Sequence, residues 1–136
     1  MKLVFNNVAI AGIGDTNGLL ASGAAGSFWL TLHVGDPGEA STQTTNETAY
    51  TGYSRLAVAR TSAGFTVVGS TVNLTANADF PVCTANPGGV VTHFGIGSSQ
   101  TGTGKLLYSG TLTPNITMAP SVVPRITPAA NLVTED

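Results

Sequence analysis

The sequence predicts an all-β protein, a two-sheet sandwich of the jelly-roll type with at most one short helix near the N-terminus. Short segments of alternating apolar and polar residues recur along the 136-residue chain, and turns rich in Gly and Pro separate them at intervals of roughly 8–12 residues. Charged residues make up only 9% of the chain, against about 25% in average domains. Thr, Ser, Gly and Asn take their place, and this gives a polar but weakly ionic surface, which suits a protein whose exterior lies largely against neighbours.

The clearest strand pattern runs from Phe28 to Val34. Its even-numbered residues are apolar and share one face, whereas Thr31 and His33 fall on the other. This alternation predicts a half-buried strand. The strand is expected to end at the turn formed by residues 35–38, Gly-Asp-Pro-Gly, because Pro fixes its own φ while Gly and Asp tolerate left-handed backbone.

A polar segment from Glu39 to Thr51 follows, and with almost no apolar residue before Tyr50 we expect an extended surface loop. Beyond it, alternation and turn residues predict further strands and one possible short helix. The predicted strands are residues 53–60, 65–68, 71–74, 79–82, 90–96, 106–112, 116–118 and 122–126, and the predicted helix is residues 16–25, with Asp15 or Thr16 as its N-cap.

No internal repeat or composition break divides the chain, so a single domain is predicted over residues 1–136. An N-terminal arm of about residues 1–12 and a Pro-punctuated tail of about residues 113–136 flank it. The apolar stretch at the N-terminus is interrupted by Asn6 and Asn7, and we expect no signal peptide there. No window approaches the ~20 apolar residues that span a bilayer, so we expect a protein made in the cytoplasm without membrane contact.

Composition excludes several classes of function. The net charge is −2 with five scattered basic residues, which gives no footprint for nucleic acid. Cys83 is the single cysteine and is expected to be a small buried hydrophobe. His33 and His93 each supply one ligand where a strand metal site needs paired histidines, so we predict no metal and no cofactor.

Two loops superficially resemble nucleotide-binding motifs but lack required residues. The glycines at 12, 14 and 18 have the wrong spacing for a dinucleotide fingerprint, and residues 99–106 place Leu106 where a phosphate loop needs a hydroxyl. The chain also lacks a nucleophile elbow and is poor in acid and base residues. We therefore predict that it is not an enzyme and that no residue is catalytic.

Several segments together resemble a family of small structural proteins of tailed bacteriophages, whose members are labelled either capsid cement (decoration) proteins or tail-fibre-like proteins. The resemblance lies in an apolar strand that ends in Asp-Pro-Gly, a Thr-Asn-Glu element, a Tyr-x-Arg strand and two later strands; these are residues 29–38, 45–47, 50–55, 92–97 and 105–110. It touches about two-thirds of the chain and is most specific within residues 29–60.

The resemblance implies a virion structural protein. We expect a cement protein on the capsid exterior that contacts the shell of major capsid protein and self-associates as a dimer or trimer, since the sequence has neither the heptads nor the repeats typical of fibres. A tail or tail-fibre adaptor is the main alternative. A carbohydrate-binding or hydrolytic virion module, with Trp29 and Tyr50 or Tyr53 as a stacking platform, is the second.

The expected contact residues lie in the N-terminal arm and the long polar loop. They are Met1, Leu3, Phe5, Glu39, Thr42, Thr45, Glu47 and Tyr50. Arg55 is expected to hold the loop against the sheet by pairing with a carboxylate, either Asp36 or Glu47.

Overall fold

The computed structural model of the chain describes residues 26–128 and the backbone of residues 133 and 134. The predicted N-terminal arm and helix lie outside the described residues. So do the candidate contact residues Met1, Leu3 and Phe5.

The described part of the chain contains strands and no helix, which confirms the all-β prediction. A four-stranded sheet has the order β2-β1-β6-β7, a three-stranded sheet has the order β3-β4-β9, and β5 pairs with β8. The jelly-roll arrangement of these sheets stays a prediction. The strands are β1 Ser27–His33, β2 Leu56–Ala59, β3 Phe65–Val68, β4 Thr71–Leu74, β5 Ala78–Asp79, β6 Val90–Gly97, β7 Leu106–Thr117, β8 Arg125–Ile126 and β9 Val133–Thr134.

The described residues form two compact units, the first of which contains residues 26–28, 58–77 and 127–128. In its described part, β3 and β4 pair in antiparallel register, with Val67 opposite Val72. Phe28 and Phe65 meet edge to face with ring centroids 6.1 Å apart. The guanidinium of the buried Arg60 lies 5.4 Å from the centre of the Phe28 ring, a cation–π geometry that keeps this charge against an apolar core.

The second unit, Trp29–Ala57 and Ala78–Ile126, contains the residues on which the functional argument rests. Its centre is the antiparallel pair β1 and β6, with Leu30 opposite Ile96 and Leu32 opposite Phe94. Paired residues share a face of the sheet, so these four side chains form one apolar face, and all four are buried.

The opposite face of the same strands carries polar and small residues. Thr31 lies opposite Gly95 and His33 opposite His93, and Thr31 and His33 are both fully buried. The prediction of a half-buried β1 is therefore wrong. Alternation correctly assigns residues to two faces but does not reveal that a polar loop covers the second one.

The polar face of β1 is covered by the segment between β1 and β2, residues 34–55, here called the long loop. It folds back on β1, with a bridge between His33 and Glu47 and a bond from the Thr48 amide to the Leu32 carbonyl at 2.9 Å. The prediction of an extended surface loop is wrong, since Gln43 and Thr48 are buried. The buried Gln43 side chain keeps its hydrogen bonds through the backbone of Ser99, a distant partner that composition alone does not predict.

The C-terminal part of the second unit is ordered and partly buried. Residues 113–117 are the end of β7, and residues 118–126 run back along residues 78–83. Met118 and Ile126 are buried. An exposed pair of Asp79 and Arg125 holds β5 to β8, with Arg125 Nη2 donating to Asp79 Oδ2 at 2.9 Å.

Candidate interaction surface

The polar face of β1 and β6 is covered by a turn of the long loop centred on Gln43. This side chain is fully buried and lies over Gly97 and Gly104, where a Cβ atom would overlap its amide. Glycine at both positions therefore creates the space that Gln43 occupies. The same side chain binds the loop between β6 and β7, residues 98–105, here called the tip loop. Gln43 Nε2 donates to the Ser99 carbonyl at 3.2 Å and Oε1 accepts from the Ser99 amide at 2.9 Å.

A buried ion pair lies beside Gln43 and links the two loops. Arg55 Nε donates to Glu47 Oε1 at 2.7 Å and Nη2 donates to Oε2 at 2.8 Å. The Arg55 side chain is 4% exposed and that of Glu47 is 13% exposed. Hydrogen bonding to Glu47 is the main reason that the pKa of Arg55 is raised. The geometry is bidentate, which fixes the relative orientation of the two groups as well as their separation.

The remaining donors of Arg55 hold the tip loop. Nη1 donates to the Ser99 carbonyl at 3.0 Å and Nη2 to the Gly102 carbonyl at 2.7 Å. Arg55 and Gln43, which are both buried, thus bind the backbone of the tip loop on its inner side. Its outermost residues, Gln100 to Thr103, are exposed and carry no charge.

Tyr53 also takes part in the hydrogen-bond network around Glu47. Its hydroxyl donates to Glu47 Oε1 at 2.8 Å and accepts the Leu32 amide at 3.2 Å. Burial and the adjacent Glu47 carboxylate raise the pKa of Tyr53 well above its usual value. The phenol therefore stays protonated and acts as a fixed donor to Glu47.

His33 fixes the turn of the long loop to β1. Its Nδ1 donates to the Thr45 carbonyl at 2.8 Å, and its Nε2 lies 2.8 Å from the Thr31 hydroxyl, which donates to it when the ring is neutral. Burial is the largest effect on this ring and lowers the pKa of His33 below its usual value. The neutral imidazole is therefore the form that this site favours near neutral pH.

An open groove lies between the turn at residues 36–39 and strand β7. One part, of about 310 Å³, is lined by Asp36, Gly38 and Glu39 from the turn and by His93 and residues 109–111 from the sheet. An adjoining part, of about 260 Å³, follows β7 along residues 106–109. Two exposed carboxylates on the turn give this groove its acidic side.

The structure separates the predicted site residues into two groups. Glu39 is exposed, and Thr42 is half-buried in a bridge to Lys105. Thr45, Glu47 and Tyr50 make contacts within the molecule instead. The Thr45 carbonyl binds His33, Glu47 binds Arg55, and Tyr50 is 2% exposed with its hydroxyl donating to the Pro81 carbonyl. Those three residues support the surface from beneath.

The two candidate anchors also differ from each other. The structure places Arg55 against Glu47. Asp36 instead stabilises its own turn, since its Oδ1 accepts the Gly38 amide at 2.9 Å and its carbonyl accepts Asn46 Nδ2 at 2.8 Å. Sequence reasoning did not identify Gln43 or Ser99, and the only signal for Gln43 is the pair of glycines that make room for it.

The two tyrosines considered as part of a stacking platform are taken up by packing, while Trp29 is half-buried on β1. Tyr50 and Tyr53 meet edge to face at 5.3 Å, and Tyr53 stacks on Phe80 at 6.4 Å. A flat platform formed by Tyr50 and Tyr53 is therefore not presented to solvent. Among residues 26–128, no group of His, Cys, Asp and Glu is placed to hold a metal ion. The described residues also contain no helix that could span a membrane.

The chain matches a protein-family model described as podophage GP4 fiber I protein gp80, over residues 17–134. No curated protein matches the chain. The match covers most of the sequence, including both loops and all the strands of the second unit. It confirms the coarser part of the resemblance, a phage structural protein, and its description is that of a fibre protein rather than of an enzyme. The chain therefore belongs to the podophage GP4 fiber I protein gp80 family of phage structural proteins.

Proposed function

We propose that this chain is a fibre component of the phage tail that binds a neighbouring virion protein through the tip loop and the adjoining turn of the long loop. The observation that carries the proposal is the Glu47–Arg55 pair, which holds both loops from beneath. Burying two charges gives little net stability. The bidentate contact of this pair and its bonds to the tip loop instead fix one arrangement of the groups around it. Such an arrangement suits a surface that must keep one shape.

A fixed loop binds more tightly than a mobile one because less conformational entropy is lost on association. The tip residues Gln100 to Thr103 are exposed and uncharged. Removing hydroxyl and amide groups from water costs less than removing unpaired charges. A permanent contact with another virion protein, made of many weak polar interactions, fits this surface better than reversible electrostatic binding does.

The family description supports a place in the fibre over the capsid-cement role. A cement protein on the capsid exterior remains the alternative within the virion. The two differ in copy number, since a protein that braces the shell is present in hundreds of copies and a fibre component in far fewer. Quantitative mass spectrometry of purified particles, referred to the major shell protein, separates them, and gold-labelled antibody shows whether head or tail carries the chain. Labelling of the head in hundreds of copies would overturn the fibre assignment.

The binding surface is tested separately with particles that lack this chain. Wild-type protein is expected to restore binding to such particles, and Thr103→Arg, which adds a large charged group at the tip, is expected to prevent it. Ser70→Arg is the matched control, because Ser70 is an exposed turn residue of the first unit. Equal loss of binding in both variants, or in neither, would contradict the assignment of the tip loop.

A further inference from the structure

We propose that the peptide bond between Asp36 and Pro37 is a self-cleavage site, at which the Asp36 carboxylate attacks its own main-chain carbonyl and Asn46 stabilises the charge that develops there. The reaction occurs once in each chain and divides it into residues 1–36 and 37–136. It is a modification of the chain rather than turnover of a substrate. This chemistry does not depend on where in the virion the chain resides or on the binding surface proposed above.

The pair Asp36–Pro37 combines the two residue types that make a peptide bond easiest to break from within the chain. A carboxylate oxygen of aspartate is so near its own main-chain carbonyl carbon along the covalent structure that attack closes a five-membered ring. This connection replaces an encounter between two molecules. Proline supplies the leaving group, because its nitrogen carries no hydrogen and a dialkylated amide nitrogen takes up a proton more readily than an ordinary one. The sequence contains no other Asp–Pro pair.

The turn at residues 36–39 positions both of the groups that react. Asp36 Oδ1 accepts the Gly38 amide at 2.9 Å, and this bond closes a ring that contains the Asp36–Pro37 peptide bond, so the carboxylate stays beside it. Asn46 Nδ2 donates to the Asp36 carbonyl oxygen at 2.8 Å. That oxygen becomes negatively charged when the carbonyl carbon is attacked. A donor already in place there stabilises the tetrahedral intermediate, as the donors of an oxyanion hole do.

The fold fixes Asn46 in the position that this role requires. Its φ is 53°, a left-handed conformation that asparagine tolerates better than most residues. Its carbonyl accepts the Val34 amide at 2.8 Å, and its side chain lies against Gly35, where a Cβ atom would be 3.4 Å from Nδ2. The next residue, Glu47, is held by the buried ion pair. The donor is therefore preorganised and needs no rearrangement when the carbonyl is attacked.

The overall reaction is a hydrolysis. A carboxylate oxygen of Asp36 bonds to the carbonyl carbon, and the bond from that carbon to the Pro37 nitrogen breaks with its electron pair going to nitrogen. The nitrogen takes up two protons from solvent and becomes the new terminal ammonium. Water then opens the cyclic anhydride left on Asp36 to two carboxylates, which returns two protons to solvent. Pro37 is buried but Asp36 is exposed, so water reaches the anhydride. The other ionisable groups that line this groove are Glu39 and His93.

Hydrogen bonds across the site keep the two fragments together in the native fold. The Thr48 amide donates to the Leu32 carbonyl, and His33 Nδ1 donates to the Thr45 carbonyl. Both bonds join the part of the chain before the cut to the part after it. The fragments are therefore expected to separate only on unfolding, and the cut adds an ammonium and a carboxylate to the groove.

Intact mass spectrometry of the denatured products measures the reaction. The purified chain is incubated at the most acidic pH at which circular dichroism shows the native fold, and in parallel at the same pH in urea. Folded wild-type protein is expected to form the two fragments about tenfold faster than unfolded protein. This is less than the roughly 10²–10³-fold effect of an enclosed oxyanion donor, because Asn46 donates at an exposed turn. Equal rates in the two states would mean that only the ordinary lability of the dipeptide is at work, and would overturn the proposal.

Three variants identify the groups that act. Asp36→Asn keeps the shape of the side chain without the carboxylate and is expected to lose cleavage; if cleavage persists, a contaminating protease is responsible and the proposal is wrong. Asn46→Gly tolerates positive φ but lacks the donor, so it is expected to cleave at the rate of the unfolded chain. Asn86→Asp is the matched control, because it places a second Asp–Pro bond in another exposed loop. Cleavage after residue 86 as fast as after residue 36, or a folded Asn46→Gly that cleaves like wild type, would contradict the role of Asn46.

Discussion

Replacing Arg55 by alanine tests whether the buried ion pair fixes the two loops. The variant removes the bidentate contact to Glu47 and both bonds to the tip loop, and it leaves the Glu47 carboxylate only 13% exposed without its cation. Breaking a buried pair in this way costs about 3–5 kcal/mol. Because Glu47 keeps some access to water, we expect the lower end, about 3 kcal/mol. For a chain of this size that loss lowers Tm by roughly 10 °C.

Circular dichroism during thermal unfolding measures this change, and limited proteolysis reports on the loops. In Arg55→Ala, cleavage within the tip loop and within residues 39–51 is expected to become faster well below Tm. Arg125→Ala is the matched control, because it removes a similar contact to Asp79 at an exposed position, where ion pairs contribute little. Unchanged proteolysis of the loops in Arg55→Ala, or equal destabilisation by the two substitutions, would refute the argument that Arg55 holds the loops.

Three further predictions concern the same network. The pKa of His33 is lowered in the folded state, so between that lowered pKa and the unfolded value of about 6.5 the unfolded chain binds more protons than the folded chain. The free energy of unfolding should therefore fall as the pH drops from 7.5 to 5. His33→Gln should flatten this pH dependence, which urea titrations measure. Gly97→Ala places a methyl group against Gln43 and is expected to cost about 1–3 kcal/mol in the same titrations, whereas full stability would mean that Gln43 moves freely. Tyr53→Phe removes the donor to Glu47 and the acceptor of the Leu32 amide and should cost about 1–3 kcal/mol. In the Glu47→Leu background the loss should be smaller, because only the bond from the Leu32 amide is then removed.

The strands were largely predictable because their signal is local. Alternation and turn residues located β1, β3, β4, β6 and β7 to within a few residues, apart from the C-terminal extension of β7 to Thr117. Residues 53–55 were predicted as strand, but they lie outside β2 because Tyr53 and Arg55 are turned toward Glu47. Val34 was assigned to the apolar face and is 40% exposed, since the strand ends one residue earlier and the chain turns away.

The site was less predictable because it depends on contacts between distant segments. A carboxylate partner for Arg55 could be inferred from the need to compensate a charge near a sheet, but sequence alone did not choose between Asp36 and Glu47. Gln43 lies 56 residues from Ser99, which it binds. Nothing local distinguishes it from the neighbouring threonines. Tyr50 was assigned to the surface because its neighbours are polar, and its burial follows from contacts with a segment some 31 residues away.

The chain has few charges, yet two of its five basic residues, Arg55 and Arg60, are buried. For Arg55 the buried polar layer beneath the loops accounts for this burial. An apolar layer of similar volume beneath the loops would be at least as stable, since replacing buried ion pairs by hydrophobic residues is often neutral or stabilising. Apolar contacts are not directional, however, and would let the loops slide over the sheet. Bidentate and backbone-directed hydrogen bonds fix position and orientation together. The network therefore serves the shape of the loops more than the stability of the fold, so Glu47→Leu combined with Arg55→Met should retain much of the stability while losing protection of the tip loop from proteolysis.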